Sequence, residues 1–211
     1  MKIRNVLTYI ISALMVIVLI CPLSPLMVKI LYLVNFIFAA VIVGTSFFAG
    51  IRKSVPAIYS TLVLFFTTFT LVLFINTTRF VLLFEPGQQD LLLVSRVRNA
   101  VFAGHAVRGY IITAIVLAAV FAVVCTIKLK ADESINGVIH YMKGTIIAEM
   151  IVFAAAVIAC SFIGILKLDI NFAEALKLYF PYCCSQIMLY MVPIFPVAVS
   201  LNLMQISDYN N

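Results

Sequence analysis

The residues able to do chemistry are few, and each sits against apolar neighbours. Glu149, in "GTIIAEMIVF", is the sole carboxylate well inside a long uncharged segment. A carboxyl in such a place can bind a proton or a cation, because an intramembrane charge needs a partner or water. Read as about one turn into its span, it is also near enough to Lys143 or the interface to snorkel out, and both readings stand. Arg79 closes another apolar run, directly after Asn76, Thr77 and Thr78 in "LFINTTRFVLLFEPG". A guanidinium there is either a gate charge or an interface anchor.

The constellations that enzymes need do not occur. There is no phosphate loop, no HExxH, no GxSxG and no Cys/His ligand spacing in the sequence. His105 and His140 stand alone beside interfaces and read as solvated loop residues. Cys21, Cys125, Cys160, Cys183 and Cys184 lie in or beside apolar segments, where small core-filling residues are expected rather than disulfides or metal ligands. The reading is therefore a non-enzyme with no cofactor and no metal.

The elements that must position these groups follow from composition. Of 211 residues, 65% are hydrophobic and 10% charged, and the mean hydropathy of +1.20 places the chain among integral membrane proteins. Reading from charge to charge gives six long uncharged or nearly uncharged segments, and each can cross a hydrocarbon core about 30 Å thick, which needs roughly 20 helical residues. Runs this continuous suit helices rather than the alternating strands of a barrel. The expected fold is an all-α polytopic membrane protein, one domain over 1–211, with about six transmembrane helices near 5–28, 30–51, 54–84, 107–129, 144–167 and 178–205. No soluble domain is expected.

Two short amphipathic helices are expected at the interface. In "EPGQQDLLLVSRVRNAVFAGHAVRG", apolar Leu91, Val94, Val97 and Val101 fall near helical spacing against Arg96, Arg98 and Asn99. "KLDINFAEALKLY" reads as the second. The one properly polar loop is "KLKADESINGVIHYMKG", and Pro181, Pro193 and Pro196 are expected to break up the last span. The start imitates a signal peptide, but its apolar stretch is long and lacks a small-x-small cleavage site, so the first helix is expected to stay.

The net charge of +6 comes from 14 Lys and Arg scattered over segment ends, which suits anchors at a bilayer rather than a nucleic-acid surface. On the N-terminal side fall Lys2, Arg4, Arg52, Lys53, Lys128, Lys130 and Lys143. On the other fall Lys29, Arg79, Arg96, Arg98, Arg108, Lys167 and Lys177, an even split. Placing Arg79 and Arg108 at helix ends rather than in loops tips the count toward cytoplasmic termini.

With these elements in order, the chain resembles the membrane domain of the FHIPEP family, the large export-gate subunit of flagellar and type III secretion systems. The family's Pro-Leu-Pro, Leu-Leu-Asp and following Asn are met by "PLSPLMVKILYLVN", with Pro22, Leu23 and Asn35 in register. Its third helix closes on Thr-Arg, as "TLVLFINTTR" does with Thr78 and Arg79. Gly104 and Gly109 in "AGHAVRG" then look like the family's Phe-Gly-x-apolar-x-x-Gly. From 143 to 193 the pattern lies on the chain without a gap, through Lys143, Gly144, Ile147, Ala148, Gly164, Glu174, Ala175, Tyr179 and Pro193. The resemblance covers nearly the whole chain.

The departures are as specific. Lys29, Thr145 and Gln186 stand where the family has acids, and Thr70 and Phe74 replace an Arg and an Asn of the third helix. Pro56 lies about one helical turn upstream of the family's Phe-Pro. The long cytoplasmic loop shrinks to about 128–143, and the last two helices and the cytosolic ring-forming domain have no counterpart. The resemblance implies a scaffold or gate component of protein secretion in the bacterial inner membrane. It would be a homo-oligomer, with other export-apparatus membrane subunits as partners. Family members are thought to couple proton flow to export through carboxylates, and with those acids replaced such coupling is not expected at these positions. Arg79, lacking its polar company, is expected to pack and snorkel. The alternatives are a small six-helix permease or ion-coupled transporter working through Glu149, and a degenerate relative without activity.

Overall fold

Ser24 and Pro25 set the start of the first helix. The Ser24 hydroxyl accepts from the Met27 amide at 3.3 Å and its carbonyl accepts from Val28 at 3.1 Å, while Pro25, first in the helix, has no amide to leave unpaired. The helix expected at 30–51 therefore begins five residues sooner, as α1, Pro25–Arg52. The computed structural model describes residues 16–17, 20, 23–52, 59–83, 93–127 and 133–209. Most of the expected first span, with Pro22, lies outside them.

Five further helices follow: α2 (Tyr59–Leu83), α3 (Leu93–Phe102), α4 (Ala106–Thr126), α5 (Glu133–Leu168) and α6 (Phe172–Tyr209). Five of the six described helices, all but α3, are long and apolar enough to cross a membrane. The chain is thus an all-α polytopic membrane protein. The polar loop expected over 128–143 is helical from Glu133 onward. Val138, Ile139, Met142 and Ile146 fall on one face and are buried, so burial of that stripe extends the helix through polar sequence.

The short α3 is amphipathic, burying Val94, Ser95 and Phe102 against α4 and α6. Its corner into α4 turns on left-handed backbone at Ala103 (φ 43°) and Gly104 (φ 80°). A side chain at Gly109 would meet the Phe102 ring at 2.1 Å, so glycine there lets α3 fold back on α4. The second expected interfacial helix is instead the first turns of α6. Asn171 caps it, accepting from the Glu174 amide at 2.9 Å with Glu174 in the first turn, a start that favours an acid.

Continuity of α6 through Pro181, Pro193 and Pro196 corrects the expectation of a broken span. A proline removes the amide that would bond the carbonyl four residues back. For Pro193 that acceptor is Leu189, and the Tyr32 hydroxyl of α1 donates to it at 2.9 Å. α6 is also the hub, since it packs against every other described helix. In its most apolar window 78% of residues are buried, against 22% in α1 and in α4. The outer helices turn their apolar faces outward, as a bilayer solvent requires.

Candidate functional site

The interior of the bundle is not uniformly apolar. α2 buries Thr67, Thr70, Asn76, Thr77 and Thr78 along its inner face. A threonine in a helix can satisfy its hydroxyl on the carbonyl one turn back, and four of these do, on Val63, Phe66, Leu73 and Phe74 at 2.8–3.0 Å. The same hydroxyls also meet groups on other helices, and three polar links to α1 and α6 result.

The first link joins α1 to α2. The Thr70 hydroxyl lies 3.0 Å from Asn35 Oδ1, while Asn35 Nδ2 is buried without a hydrogen-bond partner among the described residues. In the second, Gln186 Nε2 donates to the Thr78 hydroxyl at 2.6 Å and to the Phe74 carbonyl at 3.0 Å. Thr78 in turn donates to that same carbonyl, which closes a triangle between α2 and α6. The third is a short hydrogen bond between the hydroxyls of Thr77 and Tyr190. The Tyr190 ring packs edge-on against Tyr32 and Phe74.

Glu149 is a buried acid of α5. It is 1% exposed, neither carboxyl oxygen has a hydrogen-bond partner among the described residues, and Tyr190 is within electrostatic reach. Because α5 starts at Glu133, Glu149 is near the middle of the helix rather than one turn in. Lys143 offers it no pairing; its Nζ donates to the Ile127 carbonyl at the C-terminal end of α4, at 3.3 Å, where a cation is favoured. A buried ionised carboxylate with no donor costs several kcal/mol, on the order of the penalty for any unpaired buried charge. The group therefore needs a proton, or a rearrangement that brings donors to it.

The other residues singled out by sequence separate into distinct roles. Gly164 is a contact site: a Cβ there would stand 2.9 Å from Ala175 Cβ and from Tyr179 Cε2, so its absence sets the approach of α5 to α6. Gly144 is exposed with nothing near its Cβ position. Glu174 is an exposed helix-start residue, Arg79 is exposed near the end of α2, and Pro193 is buried in α6. Cys160, Cys183 and Cys184 are free and buried, whereas Cys125 is exposed. His140, expected in a loop, is an exposed residue of α5.

Sequence reading overlooked Tyr32, Tyr190 and Tyr59. The signal was available, since a phenol placed inside an apolar span must find a partner for its hydroxyl. Tyr59 bonds Ser46 at 2.6 Å, and Ser46 reaches Ser200 at 3.1 Å, fastening α1, α2 and α6 at their other end. Arg98 was read only as an anchor. It hydrogen-bonds the Tyr182 hydroxyl and lies 4.3 Å from that ring's centroid, tying α3 to α6. Among the described residues, what the interior offers chemically is neutral hydrogen bonding plus one buried carboxyl without a hydrogen-bond partner. No protein-family model, curated protein or solved structure matches the chain.

Proposed function

We propose that the chain is a membrane subunit of the export-gate type, acting as scaffold or gate component in protein secretion. The observation that carries this reading is the Gln186 to Thr78 hydrogen bond across 108 residues of sequence. Both positions were selected by linear resemblance alone, one as a match and one as a replaced acid, and they are in contact. Asn35 with Thr70 and Gly164 with Ala175 and Tyr179 repeat the pattern.

The chemistry of these links supports a scaffold rather than an energised exporter. Gln186 uses its amide as a donor to a carbonyl and a hydroxyl, which an ionised acid in its place could not do. Thr70 likewise makes a neutral link where the family has a guanidinium. Two of the replaced positions, Gln186 and Thr70, are here neutral cross-links between helices. The reading places the protein in the bacterial inner membrane with cytoplasmic termini. It assembles as a homo-oligomer beside other export-apparatus membrane subunits.

The test is deletion of the gene and restoration of the chain in its own host. Secretion of export substrates falls on deletion and returns with the wild-type chain. Secretion unchanged by deletion contradicts the reading.

A further inference from the structure

Glu149 is a buried polar group of the interior that the scaffold reading leaves unused. It is a full-length acid held near the middle of a 36-residue helix, with about 24 Å of helix between it and the first residue of α5. Among the described residues neither carboxyl oxygen has a hydrogen-bond partner. Of the helices packed on α5, namely α2 and α6, α2 carries Tyr59, bonded to Ser46, and Arg79, which is exposed. From α6, Glu174 and Lys177 are exposed, Tyr179 packs at Gly164, Tyr182 lies under Arg98, and Cys183 and Cys184 are buried thiols. Tyr190 is the group of α6 that interacts with Glu149. On α5 itself, His140 and Tyr141 are exposed, Lys143 is turned to Ile127, and Cys160 lies three turns on.

A polar stripe leads to it. Tyr141, Thr145 and Glu149 follow at steps of four along α5 and so share a face. Tyr141 is 40% exposed and meets Thr68 of α2 at 3.0 Å, whereas Thr145 is buried. The Tyr190 hydroxyl, itself paired with Thr77, is within electrostatic reach of the carboxyl. A hard metal cation would take about six or more oxygen ligands, but among the described residues no group of three or more acids, histidines or cysteines gathers to hold one.

We propose that Glu149 is a single-proton binding site, reached along Tyr141 and Thr145 and answered by the Tyr190 hydroxyl. In the bundle as folded the carboxyl holds the proton. On release its O–H bond breaks, the proton passes to water by the Thr145 and Tyr141 stripe, and both electrons stay on the carboxylate. Tyr190, within electrostatic reach of the site, keeps its own proton and senses the new charge. Glu149 itself is at none of the replaced acids, Lys29, Thr145 and Gln186, although Thr145 lies on its path, and the proposal does not rest on the export reading.

The experiment is infrared spectroscopy of the full chain in lipid nanodiscs, with glutamate carboxyl groups carbon-13 labelled and the pH stepped reversibly. The expected result is a protonated glutamate C=O band at neutral pH, lost in Glu149→Gln. In the wild type it bleaches as pH rises, together with a shift of the tyrosine bands that Tyr190→Phe removes. Thr145→Val slows the bleaching severalfold. A neutral-pH spectrum with only ionised glutamate overturns the proposal, as does a band that neither titrates nor exchanges in heavy water while the protein stays folded. Should Glu149→Gln fail to fold, the wild-type band and its titration decide alone.

Discussion

The Tyr32 hydroxyl donates to the Leu189 carbonyl at 2.9 Å, taking the acceptor that Pro193 leaves open four residues later in α6. In a hydrocarbon medium an unbonded carbonyl has no water to turn to. A phenol on α1 thus makes a proline in the hub helix tolerable. The same contact ties α1 to α6 and holds Tyr32 edge-on to Tyr190, 5.9 Å between centroids.

Tyr32→Phe is expected to lower stability by about 1 to 2 kcal/mol, the range for a lost hydrogen bond with a stranded buried acceptor. Pro193→Ala restores an amide to Leu189. The double variant should therefore lose less than Tyr32→Phe alone, and the shortfall, read in a denaturation cycle, should be about 0.5 kcal/mol or more. Strict additivity would mean that the phenol does not serve the proline.

Two glycines of the family pattern should respond with opposite signs. Gly144→Ala meets nothing and should stabilise α5 by roughly 0.5–1 kcal/mol through helix propensity. Gly164→Ala drives a methyl against Ala175 and Tyr179 and should destabilise by about 1 to 3 kcal/mol, as overpacking does. Thermal denaturation of the two variants in one detergent separates them.

Fold class was legible because apolar runs of membrane length leave few alternatives. Boundaries were less so. The helix expected from residue 30 starts instead at Pro25, capped by Ser24, and "ESINGVIHYMKG" is polar by composition while Val138, Ile139 and Met142 keep a helical face. At the site, Asn35, Thr78 and Glu149 were visible as polar residues in apolar company. Their partners were not, because the Tyr190 to Thr77 and Gln186 to Thr78 links join positions more than a hundred residues apart. The depth of Glu149 was misread for one reason: the start of α5 was placed at Gly144.

The α2 to α6 triangle should behave as a unit. Gln186→Leu and Thr78→Val each remove part of it and should cost about 1 to 3 kcal/mol, with the combined loss below the sum. Unfolding of the two single variants and the double variant, followed by far-ultraviolet circular dichroism, tests this.

Arg98→Lys should loosen α3 although charge is kept. Lysine keeps neither the planar stacking on Tyr182 nor the fork that reaches Asn99 Oδ1 at 3.1–3.3 Å. A cysteine placed at buried Val94 should then react with a membrane-impermeant thiol reagent faster than in the Arg98 background. Equal rates would detach Arg98 from the docking of α3.

The central claim, an assembled subunit of an export gate, is tested most directly by purifying the chain from its native membrane in mild detergent and measuring the mass and composition of what comes with it. The account predicts a ring of several copies carrying other export-apparatus membrane proteins. A discrete monomer, free of such proteins, would contradict it.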